Sequence, residues 1–136
     1  MNRRILIAGA AVFLFPCRAQ AQAPTTLSPG EAYGAARAGT LLLLDIRTPE
    51  EWRDTGIPQG ATALDVETPA FEVRLAGLRL DHPGKRIALI DRNGGLSASI
   101  RTKLAGRGFR DILAVRGGML GPGGWLAEKL PVVAYH

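Results

Sequence analysis

The chain has 136 residues, with 17 Lys and Arg against 12 Asp and Glu and a single cysteine. This length allows about one domain, and a hydrophobic fraction of 46% with 17 Gly and 9 Pro excludes collagen-like and disordered classes. No apolar run approaches the roughly 20 residues of a membrane-spanning helix, which excludes a multi-span membrane protein.

The N-terminus has the organisation of a cleavable signal peptide. A short basic segment, Asn2–Arg4, precedes an apolar run from Ile5 to Phe15, and Ala19–Ala21 supplies the small-x-small pattern that signal peptidase recognises. A buried N-terminal helix would need polar residues at helical spacing, and the apolar run has none. We therefore expect residues 1–21 to be removed and residues 22–136 to form one domain in the periplasm or outside the cell.

Details of this segment leave the export route open. The pair Arg3-Arg4 also fits a twin-arginine signal, but the basic segment is short, which favours general secretion. Cys17 is an acceptor for lipid only if a small residue precedes it, and Pro16 stands there, so a lipoprotein anchor is disfavoured. Cleavage after Ala23 also fits the small-x-small pattern, but it would leave a proline as the first residue.

Removal of residues 1–21 changes the charge and the cysteine content. Three arginines and no acids are lost, so the formal charge falls from +5 to about +2. The remaining basic residues are scattered among acids, and the sequence therefore predicts no nucleic-acid binding. Cys17 is lost as well, so the exported domain has neither a disulfide framework nor thiol chemistry, and no stable membrane span.

Helix signals recur along the domain. Ser28 and Thr48 each precede a proline and have a glutamate three residues on, the arrangement of a capped first turn with a favourable acid. Ser97 is predicted to cap a later helix in which Ile100 and Leu104 face inward. Helices are therefore predicted after these three caps and over residues 69–80 and 125–130.

Strand signals alternate with the helices, at residues 41–46, 61–65, 86–90 and 112–115. The runs at 41–46 and 86–90 are almost continuously apolar, which is typical of strands buried on both faces of a parallel sheet. Residues 22–26 are expected to be a polar leader. The alternation predicts an α/β domain whose parallel sheet has helices on both faces.

Three motifs resemble a known family when they are taken together and in order. Leu44–Trp52 reads Leu-Asp-Ile-Arg-Thr-Pro-Glu-Glu-Trp, Gly56–Ala61 reads Gly-Ile-Pro-Gln-Gly-Ala, and Val115–Met119 reads Val-Arg-Gly-Gly-Met. Over about residues 25–134, the chain is similar to the rhodanese-like (sulfurtransferase-fold) family. The resemblance implies one small α/β domain with a five-stranded parallel sheet and a site at the C-terminal end of the central strand.

The loop that performs chemistry in active members of this family differs here. Active members have a cysteine that opens a Cys-x-x-Gly-x-Arg loop, accepts a sulfur atom as a persulfide and passes it to a nucleophile. Asp91 stands at the cysteine position and Leu96 at the arginine position, in a loop that comprises Asp91, Arg92, Asn93, Gly94, Gly95, Leu96 and Ser97. A carboxylate forms no persulfide, so the resemblance implies a catalytically inactive member.

Asp91 is interpreted structurally, as a carboxylate that accepts the backbone N–H groups which surround sulfur in active members. A nucleophilic Asp91 would normally require a metal and a second acid. A triad of Ser97, His82 and Asp91 lacks the Gly-x-Ser-x-Gly context of a nucleophilic serine. Since neither His82 nor His136 is placed as a ligand, no metal and no cofactor are predicted.

Other motif positions favour structural roles. Asp45 and Arg47 are expected to tie the end of a strand to neighbouring loops, and Glu51 completes the same family segment. Trp52 and Trp125 are expected in the core.

The predicted function is that of a binding or regulatory module. Its rim, residues 91–97 and the glycine-rich, mobile stretch 118–125, is expected to contact a periplasmic protein or a small anion, with Arg92 as the best basic contact. The alternative is an enzyme, either a sulfurtransferase that uses a partner's thiol or an Asp91-dependent hydrolase.

Overall fold

Helices and strands alternate through residues 23–136, which the computed structural model describes together with Gly9 and Ala11. The predicted signal peptide and its cleavage site lie outside the described residues, apart from those two positions. The elements are β1 Thr26–Leu27, α1 Pro29–Arg37, β2 Leu41–Asp45, α2 Pro49–Thr55, β3 Ile57–Pro58, β4 Thr62–Ala63, α3 Phe71–Asp81, β5 Arg86–Ile90, α4 Gly95–Gly106, β6 Ile112–Val115 and β7 Val132–Val133.

Five strands form one parallel sheet in the order β1-β6-β5-β2-β4. This confirms the predicted α/β class and the five-stranded parallel sheet. The central strand is β5, and it leads directly into Asp91. The functional loop therefore lies at the C-terminal edge of the sheet, where open parallel sheets bind ligands.

Alternate residues of the central strands pack into two apolar layers. On one face, Leu43 and Ile90 belong to a cluster with α1 and with Trp125. On the other face, Leu44 and Leu89 belong to a cluster with α3 and α4. Helices therefore cover both faces, as the sequence predicts, and both sides of the continuous apolar runs in β2 and β5 are buried.

A capping box fixes the start of α1. The Ser28 hydroxyl accepts the backbone N–H of Glu31 at 3.1 Å, and the Glu31 carboxylate accepts the backbone N–H of Ser28 at 3.1 Å. These two interactions at Ser28, the backbone bond first, lower the pKa of Glu31 below its ordinary value, with a small contribution from the charge of Arg116. A lowered pKa means that ionised Glu31 stabilises the fold above its ordinary pKa, and that this contribution is lost as the pH falls through the lowered value.

We expect Ser28→Ala to raise the pKa of Glu31 part of the way towards its ordinary value, because the hydroxyl is lost while the backbone N–H of residue 28 remains. Carboxyl-detected NMR titration measures this directly. Arg116→Ala is the matched control and should raise the pKa less, since charge attraction is the weakest cause. A Glu31 pKa that is unchanged in Ser28→Ala would contradict this view of the cap.

The cap of α4 and the length of β4 differ from the sequence-based predictions. Ser97 does not cap α4: Gly94 is the N-cap, with a φ of 95°, and Ser97 lies inside the first turn. The reason is that the carboxylate of Asp91 takes the capping role by accepting N–H groups of this turn. The strand predicted at 61–65 is shorter, since only Thr62 and Ala63 pair with β2.

The predicted C-terminal helix over 125–130 is wrong, because the segment forms only turns. The backbone N–H of Lys129 donates to the carbonyl of Leu126 and that of Leu130 donates to the carbonyl of Trp125, so these bonds span three and five residues in place of the helical four. Lys129 has a φ of 55°, which is incompatible with a right-handed helix.

Three short strands were not predicted. β1 begins at the last residue of the expected polar leader, Thr26, and it pairs with β6 and completes the sheet. β3 and β7 form a separate antiparallel pair, Ile57 opposite Val133 and Pro58 opposite Val132. Two residues are too few for a periodic pattern, so all three strands depend on tertiary pairing.

Candidate functional site

The carboxylate of Asp91 is held by the backbone of the loop that follows it. Its Oδ1 accepts the N–H of Gly94 at 2.6 Å, and its Oδ2 accepts the N–H groups of Leu96 at 2.8 Å and Ser97 at 3.2 Å. We call these three donors the loop cradle. Asp91 is only 1% exposed, so its charge is compensated by the cradle and by the N-terminus of α4.

The occupied cradle decides what this loop can bind. An anion that entered the cradle would have to displace a buried carboxylate that already satisfies all three N–H groups. Leu96, which is 47% exposed, brings no compensating positive charge. The expectation that Asp91 itself accepts the loop N–H groups is confirmed.

The segment after β6 packs tightly against this loop. The N–H groups of Met119 and Leu120 donate to the carbonyls of Asp91 and Arg92, both at 2.8 Å. A Cβ on Gly118 would lie 2.6 Å from the backbone nitrogen of Asn93, so only glycine allows this approach. The glycines of this segment allow close packing against the loop, and the expected mobility of the rim stays a prediction.

Asp45 and Arg47 form a buried ion pair behind the loop. The two side chains are bonded at 2.8 Å with almost no exposure, and the guanidinium also donates to the Thr55 hydroxyl and the Gly56 carbonyl, each at 3.0 Å. The indole of Trp52 donates to Asp45 at 3.1 Å. These bonds fasten the end of β2 to the middle and the C-terminal end of α2, which agrees with the structural role that the sequence predicts.

Glu51 and Arg92 face each other at the surface of the site. Their side chains approach to 3.7 Å, but that of Arg92 is 66% exposed, so the pair is a weak, solvated one. Arg92 is therefore available to a molecule that contacts the loop. The carboxylate oxygen of Glu51 that faces Arg92, Oε2, is itself buried and has no partner within hydrogen-bond distance.

A cavity of about 250 Å³ opens above the loop. Asp91, Arg92, Asn93 and Leu96 form one wall, and Glu51 lies on another. The cavity also reaches Asp65 and Glu67, which the sequence analysis missed. Their position just after β4, at the same edge of the sheet as Asp91, is the signal that places them here.

The triad of Ser97, His82 and Asp91 is not assembled in the structure. His82 follows α3 and precedes β5, whereas Asp91 follows β5, so a strand of roughly 16 Å separates them and the triad with Ser97 is not assembled. The Ser97 hydroxyl is buried without a hydrogen-bond partner. Among the described residues, no three His, Cys, Asp or Glu side chains are grouped to hold a metal.

The sequence match decides the family. The family model described as "Rhodanese-like domain" matches residues 28–121, which include the sheet from β2 to β6, the loop and the Gly-Gly-Met turn. The chain belongs to the rhodanese-like domain family. The match includes the loop, so Asp91 lies within the rhodanese-like domain. It directly follows β5, the central strand.

The chain is also similar to individual proteins, in sequence and in fold. The chain is 30% identical over 98 residues to "Rhodanese-like domain-containing protein 4, chloroplastic" of Arabidopsis thaliana; the match covers 65% of this chain and 21% of that protein, so the chain spans about a fifth of its length. A solved rhodanese-related protein from Thermoplasma volcanium is 20% identical with a TM-score of 0.60, covering 81% of this chain and 98% of that one.

A full-length protein from Lactobacillus plantarum gives a TM-score of 0.62 at 20% identity, covering 82% of this chain and 88% of that chain. These similarities establish the fold of the rhodanese-like domain. In the described part of the chain, no helix combines the length and hydropathy that a membrane span needs.

Proposed function

We propose that this rhodanese-like domain is an exported binding module that does not transfer sulfur. The observation that carries the proposal is the occupied loop cradle: a carboxylate with three N–H partners stands where active members hold a persulfide. The only cysteine of the chain is Cys17, and it lies in the predicted signal peptide. No thiol in residues 23–136 is therefore available to carry sulfur.

The surface around the loop supports a protein partner. Leu96 and Leu120 are 47% and 42% exposed, and the N–H of Leu120 is bonded to the loop, so the two leucines belong to one rim. The cavity of about 250 Å³ is smaller than the roughly 300–1,000 Å³ of typical small-molecule sites. Exposed leucines beside a small cavity with charged walls suit a protein surface with one projecting side chain better than a whole small-molecule substrate.

Site-specific photo-cross-linking in the producing cells tests this proposal. A photoreactive side chain at position 96 or 120 is expected to capture the same protein, and one at the exposed position 37 on α1 is expected to capture none. The mass of the captured rhodanese-like domain should show the loss of residues 1–21. The binding proposal fails if positions 96 and 120 give no adduct beyond that of position 37, and export fails if the leader is retained.

The second candidate is an enzyme, either a sulfurtransferase that uses a partner's thiol or an Asp91-dependent hydrolase. Placing the residues of active members in the loop tests how much sulfur chemistry the fold supports. Asp91→Cys alone is expected to give little thiosulfate-dependent activity, because Leu96 leaves the loop without the arginine of active members. Asp91→Cys combined with Leu96→Arg should give the higher rate, since it supplies both the thiol and a positive charge. Equal rates for the single and double variants would show that the charge at position 96 is unimportant.

A further inference from the structure

A second surface, away from the loop, lies between α3 and α4 on the outside of the domain. The apolar layer that these helices form with the sheet lies beneath it. Two cavities of about 380 and 290 Å³ follow one another along these helices and share Arg107 in their walls. We call this surface the α3–α4 groove. The side of α3 that lines it carries Glu72, Val73, Ala76, Arg79 and Leu80, a stripe with the spacing of one helix face.

Two large apolar side chains of the groove are exposed to solvent. Val73 is 75% exposed and Leu80 is 80% exposed. Both lie on α3, seven residues or about two turns apart, and therefore on the same side of the helix. Phe71 and Leu75 of the same helix are buried in the layer beneath, so the outer leucine and valine contribute nothing to the core. Val73 lines one of the two cavities and Leu80 lines the other, so the exposed apolar side chains follow the groove along α3.

The charged residues around the groove indicate the charge of a partner that would bind there. Lys103, Arg79 and Arg107 line it, against the single acid Glu72, which is already paired with Arg107. Arg79 is also held in place, because its guanidinium donates to the carbonyl of Arg110. A partner that covers Val73 and Leu80 must therefore meet a positive rim, which favours acidic residues beside its apolar ones.

We propose that the α3–α4 groove binds an acidic amphipathic helix of a partner protein. The groove is concave and follows α3, whose 11 residues span roughly 16 Å. A docked helix of about three turns has the same length. Apolar side chains at positions i, i+3 and i+7 of such a helix fill the two cavities, and flanking Glu or Asp side chains meet Lys103 and Arg79. A flat lipid surface would leave both cavities empty.

Fluorescence anisotropy with a labelled synthetic peptide tests the proposal on the purified protein. The peptide is a helix of about 14 residues with Leu at the i, i+3 and i+7 positions and Glu on the flanks. We expect Leu80→Glu to weaken its binding about tenfold, because an apolar contact is lost and a like charge is added. Lys103→Glu should weaken it about fivefold.

Matched variants and probes make the result decisive. Val133→Glu on β7 and Arg37→Glu on α1 introduce the same changes away from the groove and should leave the affinity unchanged. Absence of binding, equal binding of a scrambled or Lys-for-Glu peptide, or binding of phosphatidylglycerol vesicles in place of the peptide would each overturn the proposal. None of these results bears on the loop around Asp91, so the proposed function is tested separately.

Discussion

Arg47→Ala is expected to lower the free energy of unfolding by about 3–5 kcal/mol, because it leaves the buried carboxylate of Asp45 without its charge partner. The side chain of Arg47 also bonds Thr55 and Gly56, so the anchoring of α2 to the sheet is lost with it. Since small domains have about 5–15 kcal/mol of stability in total, this variant should be close to unfolding.

Urea denaturation followed by tryptophan fluorescence measures this loss, since Trp52 contacts Asp45 directly. Arg53→Ala, at an exposed position of the same helix, is the matched control and should change stability by less than about 0.5 kcal/mol. In the background of Asp45→Asn, Arg47→Ala should cost less, because no unpaired charge is left. A loss below about 1 kcal/mol for Arg47→Ala alone would contradict a structural role for the pair.

Asp91→Ala is expected to destabilise the domain by about 2–3 kcal/mol and to create an anion site that the natural chain lacks. The substitution leaves the N–H groups of Gly94, Leu96 and Ser97 without an acceptor, next to a cavity that solutes can enter. Sulfate should bind these groups at the start of α4 and restore part of the lost stability.

Thermal unfolding in sulfate and in chloride at matched ionic strength measures this rescue. The melting temperature of Asp91→Ala should rise in sulfate by several degrees more than that of the natural protein. The natural protein should show only the general stabilisation that sulfate gives because it is excluded from protein surfaces. Asp91→Asn keeps an acceptor oxygen in place and should show a smaller sulfate effect. If sulfate raises all three melting temperatures equally, the cradle is not an anion site.

The sequence predicts the core of this fold well because its signals are local or strongly periodic. The capping residues Ser28 and Thr48 place α1 and α2, and the apolar runs place β2 and β5 within a residue of their observed bounds. Asp91 could be assigned to the end of a buried strand by its place after an apolar run, whereas its hydrogen bonds could be predicted only from the resemblance to active members, in which the loop N–H groups surround sulfur.

What the sequence did not predict depends on contacts between distant residues. β1 pairs with β6 across some 85 residues of chain, and β7 pairs with β3 across more than 70, so neither leaves a local pattern. The turns at 125–130 have the composition of a helix, but Lys129 has a left-handed backbone and the hydrogen bonds there lack the regular four-residue spacing, so helix propensity does not decide this segment. The exposed Val73 and Leu80 resemble ordinary helix residues until the burial of α3 is known.

The central claim is that Asp91 replaces sulfur in the loop and ends sulfur transfer. The most direct test is the rate of thiosulfate-to-cyanide sulfur transfer by purified protein in which Cys17→Ser removes the single thiol. The predicted rate is that of the buffer blank. A rate clearly above the blank that disappears in Asp91→Ala would contradict the claim, because sulfur would then be transferred through this loop without a cysteine.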